Sequence, residues 1–239
     1  MNIADIHCHI MPYVDDGAVT FDEFTRLLES EVAQGAAVIC CTPHLRRGMF
    51  ETPDDEIRRQ FQRMKDYADQ QYAGHVSLFL SREYHYDALF QQKLADGTVI
   101  PLGRSKTVLT EFSSAHSEDF IVSGVRNVIN HGFRPLIAHA ERYTSLRNSK
   151  TAVERLIDEG ALIQMNAGSI LGREGFERSH YCRKQLKRGL VHVVASDAHD
   201  TETRPVELNS AYKLITKKCG QEAAEKLLQV NPLSILQNT

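Results

Sequence analysis

Two rhythms of apolar and polar positions alternate along the chain: short apolar runs, and longer stretches with helical spacing. The first run, Ala4-Asp5-Ile6-His7-Cys8-His9, alternates apolar and polar residues as a strand does. Pro12 and Asp15-Asp16-Gly17 break it. Thr20 with Glu23 then forms a capping box, opening an amphipathic helix that runs to about Gln34 and stops at Gly35. Further strands are predicted at 36–41, 76–80, 107–110, 135–138, 161–165 and 191–195. Helical spacing between them predicts helices at about 53–72, 87–94, 117–130 and 149–159, with a closing helix at about 221–230. Seven strands taking turns with helices predict a parallel sheet, because parallel neighbours need a crossover that a helix supplies. Closed on itself, the sheet makes a (β/α)7 barrel, a relative of the eight-stranded barrel whose active sites lie at the C-terminal strand ends.

One such barrel uses all 239 residues, so a single α/β domain over 1–239 is expected. Hydrophobic content of 42% and charged content of 25% suit a soluble globular chain, and no apolar run is long enough to cross a bilayer. Asp5 and two histidines fall where a secretory signal would carry its apolar segment, which points to the cytoplasm. The five cysteines, Cys8, Cys40, Cys41, Cys182 and Cys219, are odd in number and lack zinc-finger spacing, as suits reduced thiols. A formal net charge of −3 gives no general nucleic-acid footprint, although Leu45-Arg46-Arg47 offers a local basic cluster to an anionic substrate.

His7 and His9, two apart on a strand, project together and make a two-imidazole clamp for a metal ion. The ends of the other strands deliver more residues of ligand type: His44, Glu83, Glu111, His139, and Asp197 with His199, joined by Asp16 from the first loop. Only the sixth strand offers none, ending in Asn166. Strand parity places Glu83 with Ser81, Glu111 with Leu109, His139 with Ile137 and Asp197 with Ala195, so that each candidate tops an inward row. Five histidines and four carboxylates exceed the needs of one ion; they suit two or three zinc, iron or manganese ions sharing a carboxylate. Three divalent ions would over-balance four carboxylates and welcome an anion, and Arg142 and Arg204 stand close enough in sequence to flank the same mouth with forks that match phosphate. His192 has the opposite parity to Asp197 and is read as packed against a helix. His75, His85, His116, His131 and His180 are read as solvated or locally bonded.

The segments Asp5-Ile6-His7-Cys8-His9-Ile10, Val14-Asp15-Asp16-Gly17, Thr42-Pro43-His44, Gly48-Met49-Phe50-Glu51-Thr52-Pro53, Glu111-Phe112-Ser113, His139-Ala140-Glu141-Arg142-Tyr143 and Ser196-Asp197-Ala198-His199, with Arg204-Pro205, carry a family pattern. The chain resembles the polymerase and histidinol phosphatase (PHP) family from residue 3 to Asn231-Pro232, above all its metal-dependent tyrosine-protein phosphatases of Gram-positive capsule and exopolysaccharide synthesis. The resemblance implies a distorted, TIM-like (β/α)7 barrel with three metal ions at its mouth, manganese first, with iron, zinc or cobalt as alternatives. It implies one ion on His7, His9, Glu111 and Asp197, a second on Glu83, the shared Glu111 and His139, and a third on Asp16, His44 and His199. Arg142 and Arg204 match arginines that contact the phosphate. The implied reaction is hydrolysis of phosphotyrosine by a hydroxide bridging two metals, on the tail of a cytoplasmic tyrosine kinase. Arg82 departs from the pattern, standing where a small residue is expected, and either alters access to the second ion or turns outward.

Three other readings compete. One is a small-molecule phosphatase of the same family, such as one acting on histidinol phosphate. Another is a cysteine-dependent phosphatase using Cys41 and Arg47, which have C-x5-R spacing, as do Cys40 with Arg46 and Cys182 with Arg188. Pro43 removes one N–H from the phosphate cradle that this chemistry needs. The last is a metal-binding regulatory module without turnover.

Overall fold

The computed structural model describes residues 2–237. Its strands are β1 (Ile3–Cys8), β2 (Ala36–Cys41), β3 (His44–Leu45), β4 (Ser77–Leu80), β5 (Glu83–His85), β6 (Thr107–Glu111), β7 (Arg134–Ile137), β8 (Leu162–Asn166) and β9 (Val193–Ala195). They pair in parallel as two sheets, β1-β2-β4 and β3-β5-β6-β7-β8-β9, curled about one interior in a mixed α/β fold. The predicted second and third strands form as β2 and β4, and each is followed, after a break, by a short strand in the other sheet, β3 and β5. Pro43 has no N–H for a ladder, and the chain resumes pairing only at His44 and Glu83, where Glu83 N–H donates to the Pro43 carbonyl (3.1 Å). These two breaks pass the chain from one sheet to the other. β9 meets β1 through single bonds, Asp197 N–H to the His7 carbonyl and His9 N–H to that of Ala198, both 2.8 Å.

Side chains on the two faces of the sheet enter different apolar clusters. Ile6, Cys40, Leu109, Leu136, Leu162 and Val193 fill the interior together with Ile235 and Leu236 from the C-terminal helix. Ile39, Cys41, Val108, Ile137, Ile163 and Val194 instead join the cluster shared with the covering helices. The first helix, Phe21–Ala33, has the expected capping box at Thr20 and Glu23 and buries Phe24, Leu27 and Leu28. Helices Phe176–Lys187 and Leu208–Cys219 complete the outer layer. The closing helix does not stop at Val230: a π-type turn at Lys226–Val230 leads directly into Asn231–Gln237, whose Pro232 has no N–H to donate to that turn. Among the described residues, no helix is long and apolar enough to cross a membrane.

Arg82 turns away from the interior mouth. It is wholly buried, donating to the Thr52 carbonyl, Asp54 Oδ1 and the His44 carbonyl, each at 2.8 Å. The guanidinium thus ties the start of helix Asp54–Tyr72 to the strand break that carries His44. Arg82→Met should therefore lower the unfolding free energy by about 2 kcal/mol, since two carbonyls lose their donor. A denaturant curve superposable on wild type would contradict that role.

Candidate metal centre

His7 and His9 reach the interior because β1 is bulged. Asp5 lies opposite Ile39 and Cys8 opposite Cys41, so β1 takes three steps where β2 takes two. Ile6 consequently packs inside while Cys8 packs outside, and the intervening His7 is re-aimed to the mouth beside His9. Parity also fails at β7, where Ile137 faces the helices. His139 regains the interior through a left-handed backbone (φ 33°), and Asp197 beyond β9 is left-handed as well (φ 53°). Gly17 closes the first loop so tightly that a Cβ there would stand 1.9 Å from the His9 carbonyl oxygen.

The predicted side chains converge on Glu83. Its Oε2 lies 3.3 Å from His7 Nε2, 3.2 Å from His9 Nε2 and 3.0 Å from His44 Nδ1, while its Oε1 lies 2.8 Å from His139 Nε2. Asp197 Oδ1 approaches His7 Nε2 at 3.3 Å and His9 Nε2 at 3.4 Å. Asp16 Oδ1 stands 3.4 Å from His44 Nε2 and 3.5 Å from His199 Nε2. Among the described residues, the predicted ligands form three sets whose ligand atoms lie mutually within 4.8 Å: His7, His9, Glu83 and Asp197; His9, Asp16, His44 and His199; and His44, Glu83 and Glu111. The carboxylate nearest the imidazoles is Glu83, which belongs to the first and third of these sets. Glu111 stands to one side, 3.7 Å from His139 Nε2 and 2.8 Å from His85 Nδ1.

Donor chemistry decides what this cluster can hold. Glu83 Oε2, Asp197 Oδ1, His44 Nδ1, His139 Nδ1 and His199 Nε2 are buried without a hydrogen-bond partner. Buried polar atoms that lack partners are costly, and imidazole nitrogens with carboxylate oxygens are donors suited to divalent transition ions. Burial pushes the Glu83 carboxyl up, but His7, His44 and His139 outweigh it and hold it below the usual carboxylate range. Asp197 is likewise raised by burial and lowered further by Arg142 and His7. Both are therefore charged, as metal ligands must be.

Several orienting groups escaped sequence reasoning. Asp15 Oδ2 accepts from His9 Nδ1 (2.8 Å) and from the His44 backbone N–H (2.9 Å). Gln164 Oε1 accepts from His7 Nδ1 (3.1 Å) and from His139 N–H (2.6 Å), and Asn166 Nδ2 donates to Asp197 Oδ2 (2.7 Å). Fixing Nδ1 leaves Nε2 of both clamp histidines facing the carboxylates. The signal was there: Gln164 and Asn166 are the polar members of an otherwise apolar strand. His85, read from sequence as solvated or locally bonded, lies in β5 and lines the mouth. On the opposite side of β1, Asp5 and Glu31 are buried together, and burial raises both carboxyls. Asp5 Oδ1 accepts from Ser196 N–H at 3.1 Å, bracing the turn before Asp197.

Arg142 and Arg204 both donate to Asp197 Oδ2 at 2.9 Å, and Glu174 holds Arg142 from its other side at 2.9 Å. They border a cavity of about 560 Å³ that also exposes His85, Glu111 and His139. Cys40 and Cys41 are wholly buried in β2, and burial pushes both thiols well above their usual range.

A family model for capsular polysaccharide synthesis, CpsB/CapC, matches residues 3–237. The tyrosine-protein phosphatase CpsB of Streptococcus agalactiae serotype III (strain NEM316) is 38% identical over 239 residues, covering 98% of this chain and 98% of that protein. The tyrosine-protein phosphatase YwqE of Bacillus subtilis (strain 168) is 29% identical over 219 residues, covering 91% and 85%. A solved structure from work on the metal-dependent tyrosine phosphatases YwqE of Bacillus subtilis and CpsB of Streptococcus pneumoniae superposes with a TM-score of 0.90. It is 27% identical, and the match covers 99% of this chain and 95% of that one.

If Asp15 fixes His9 and the His44 backbone for metal binding, Asp15→Ala should weaken manganese binding by about tenfold to a hundredfold in a competition titration. Wild-type affinity in a folded variant would show that Asp15 does not orient a ligand.

Proposed function

The chain belongs to the CpsB/CapC family of capsular polysaccharide synthesis and is a metal-dependent protein-tyrosine phosphatase; from that premise we propose how its residues divide the work. His7, His9, Glu83 and Asp197 would hold one divalent ion, Glu83 with Glu111 and His139 a second, and Asp16, His44 and His199 a third, manganese being the preferred metal. The observation that carries this reading is the convergence of four imidazoles on the buried Glu83 carboxylate, with partnerless donor atoms around it. Counting β2 with β3 and β4 with β5 as single interrupted strands makes the curled sheet a seven-position PHP-type barrel, read as one domain over residues 1–239.

Divalent ions held there would supply an acidic water as nucleophile and offset the charge of the phosphate. Arg142 and Arg204 take the phosphate's outer oxygens with their planar forks, exchanging part of their hold on Asp197 for the substrate. A phenol leaves more readily than an alkyl alcohol, so phosphotyrosine suits a site with modest need of a general acid. The open mouth suits a phosphotyrosine on a flexible tail, and we assign that tail to a cytoplasmic tyrosine kinase of polysaccharide synthesis. A cysteine mechanism is disfavoured by the burial of Cys41 and by its raised thiol.

Hydrolysis of a phosphotyrosine peptide should stop on exhaustive chelation and return with manganese better than with magnesium, because imidazole ligands disfavour the harder ion. Full turnover in chelator would end the metal reading. Arg142→Lys and Arg204→Lys should each cut turnover by about tenfold at unchanged metal content, since lysine keeps the charge and loses the fork. Wild-type kinetics in both would remove the arginines from the phosphate site. Cys41→Ser should retain most activity, and a folded, inactive variant would revive the cysteine mechanism.

A further inference from the structure

At the end of the strands opposite the histidine cluster, the N-terminal ends of β6, β7 and β8 and the approach to β9 border a cavity of about 670 Å³. Lys106 precedes β6, Arg134 begins β7, and Lys226 reaches in from the C-terminal helical run. Among the described residues, none that lines the cavity is acidic and none of these three cations forms an ion pair. The Arg134 side chain donates from Nε to the Gly160 carbonyl (3.1 Å).

His192 supplies the fixed polar group. The backbone N–H of Ile163 donates to its Nδ1 at 3.1 Å, so the neutral ring carries its proton on Nε2 and can only donate from that edge. Burial, with Arg134 and Lys226 beside it, lowers this histidine to about 4, and the ring stays neutral at physiological pH. Leu162 and Ile235, members of the interior apolar cluster, add uncharged surface. Three unpaired cations call for a ligand with more than one negative charge. The volume and the apolar surface call for more than inorganic phosphate, since cavities of this size hold ligands of nucleotide size.

We propose that this cavity is a second ligand site, for a small organic polyphosphate of the nucleoside diphosphate kind, distinct from the phosphatase site. The bottom face of such barrels ordinarily serves stability, so an occupant there leaves the catalytic mouth free.

Calorimetric titration of the manganese-loaded full chain, freed of excess manganese so that the probes keep their charge, tests this with adenosine diphosphate, inorganic pyrophosphate and adenosine as probes. Adenosine diphosphate should bind more tightly than either of the others. Its affinity should fall by about tenfold in Lys226→Ala and in Arg134→Gln, each with a wild-type melting curve, and hold steady in Arg142→Lys. Absence of binding at millimolar concentration overturns the site. So does an affinity that responds to Arg142→Lys but not to Lys226→Ala, which would place the ligand at the histidine face. Pyrophosphate binding as tightly as adenosine diphosphate overturns the organic ligand class.

Discussion

A wholly buried carboxylate held among four imidazoles is the constraint on which the rest of the molecule depends. Glu83 has no access to water, yet the surrounding histidines keep it ionised, and Asp197 beside it is charged too. Burying charge is tolerable only where opposite charge and directed donors answer it. Within the chain, that answer comes from imidazoles on one side and from Arg142 and Arg204 on the other. The same arrangement that makes the cluster demanding in the protein alone makes it receptive to divalent ions.

The fold is bent to aim these groups. The β1 bulge, the left-handed His139 and Asp197, and the close pass of Gly17 under His9 each depart from regular backbone. Positive φ at a non-glycine residue costs on the order of 1–3 kcal/mol, and persists where neighbours over-determine it. Here they do. Gln164 takes the His139 N–H, the His7 carbonyl takes the Asp197 N–H, and Asp5 takes the Ser196 N–H. The carboxylate cluster, the arginine mouth and the strand-end bonds therefore stand or fall together.

Much of this was legible in sequence because it depends on local pattern. Alternation marked the strands, Thr20 and Glu23 marked the first helix start, and ligand-type residues after strand after strand marked the mouth. What stayed hidden depends on geometry that no local pattern encodes. Parity pairs His139 with Ile137, but the left-handed turn between strand and site cancels that parity. Glu111 and Glu83 are both carboxylates at strand ends, and only the fold shows which one is central. Arg82 reads as an intruder on the site until its partners, Asp54 and the carbonyls of Thr52 and His44, come from 28 to 38 residues away in the chain. His85 was obscured because the strand break gives it a strand of its own.

Anomalous diffraction from crystals grown with manganese tests the central claim most directly, because it locates the ions without relying on turnover. If Glu83 is the shared ligand, manganese peaks flank both of its carboxylate oxygens, one toward His7, His9 and Asp197 and one toward His139 and Glu111, with a further peak among Asp16, His44 and His199. Peaks that leave Glu83 without a metal contact, or a cluster free of manganese in otherwise well-ordered crystals, would contradict it.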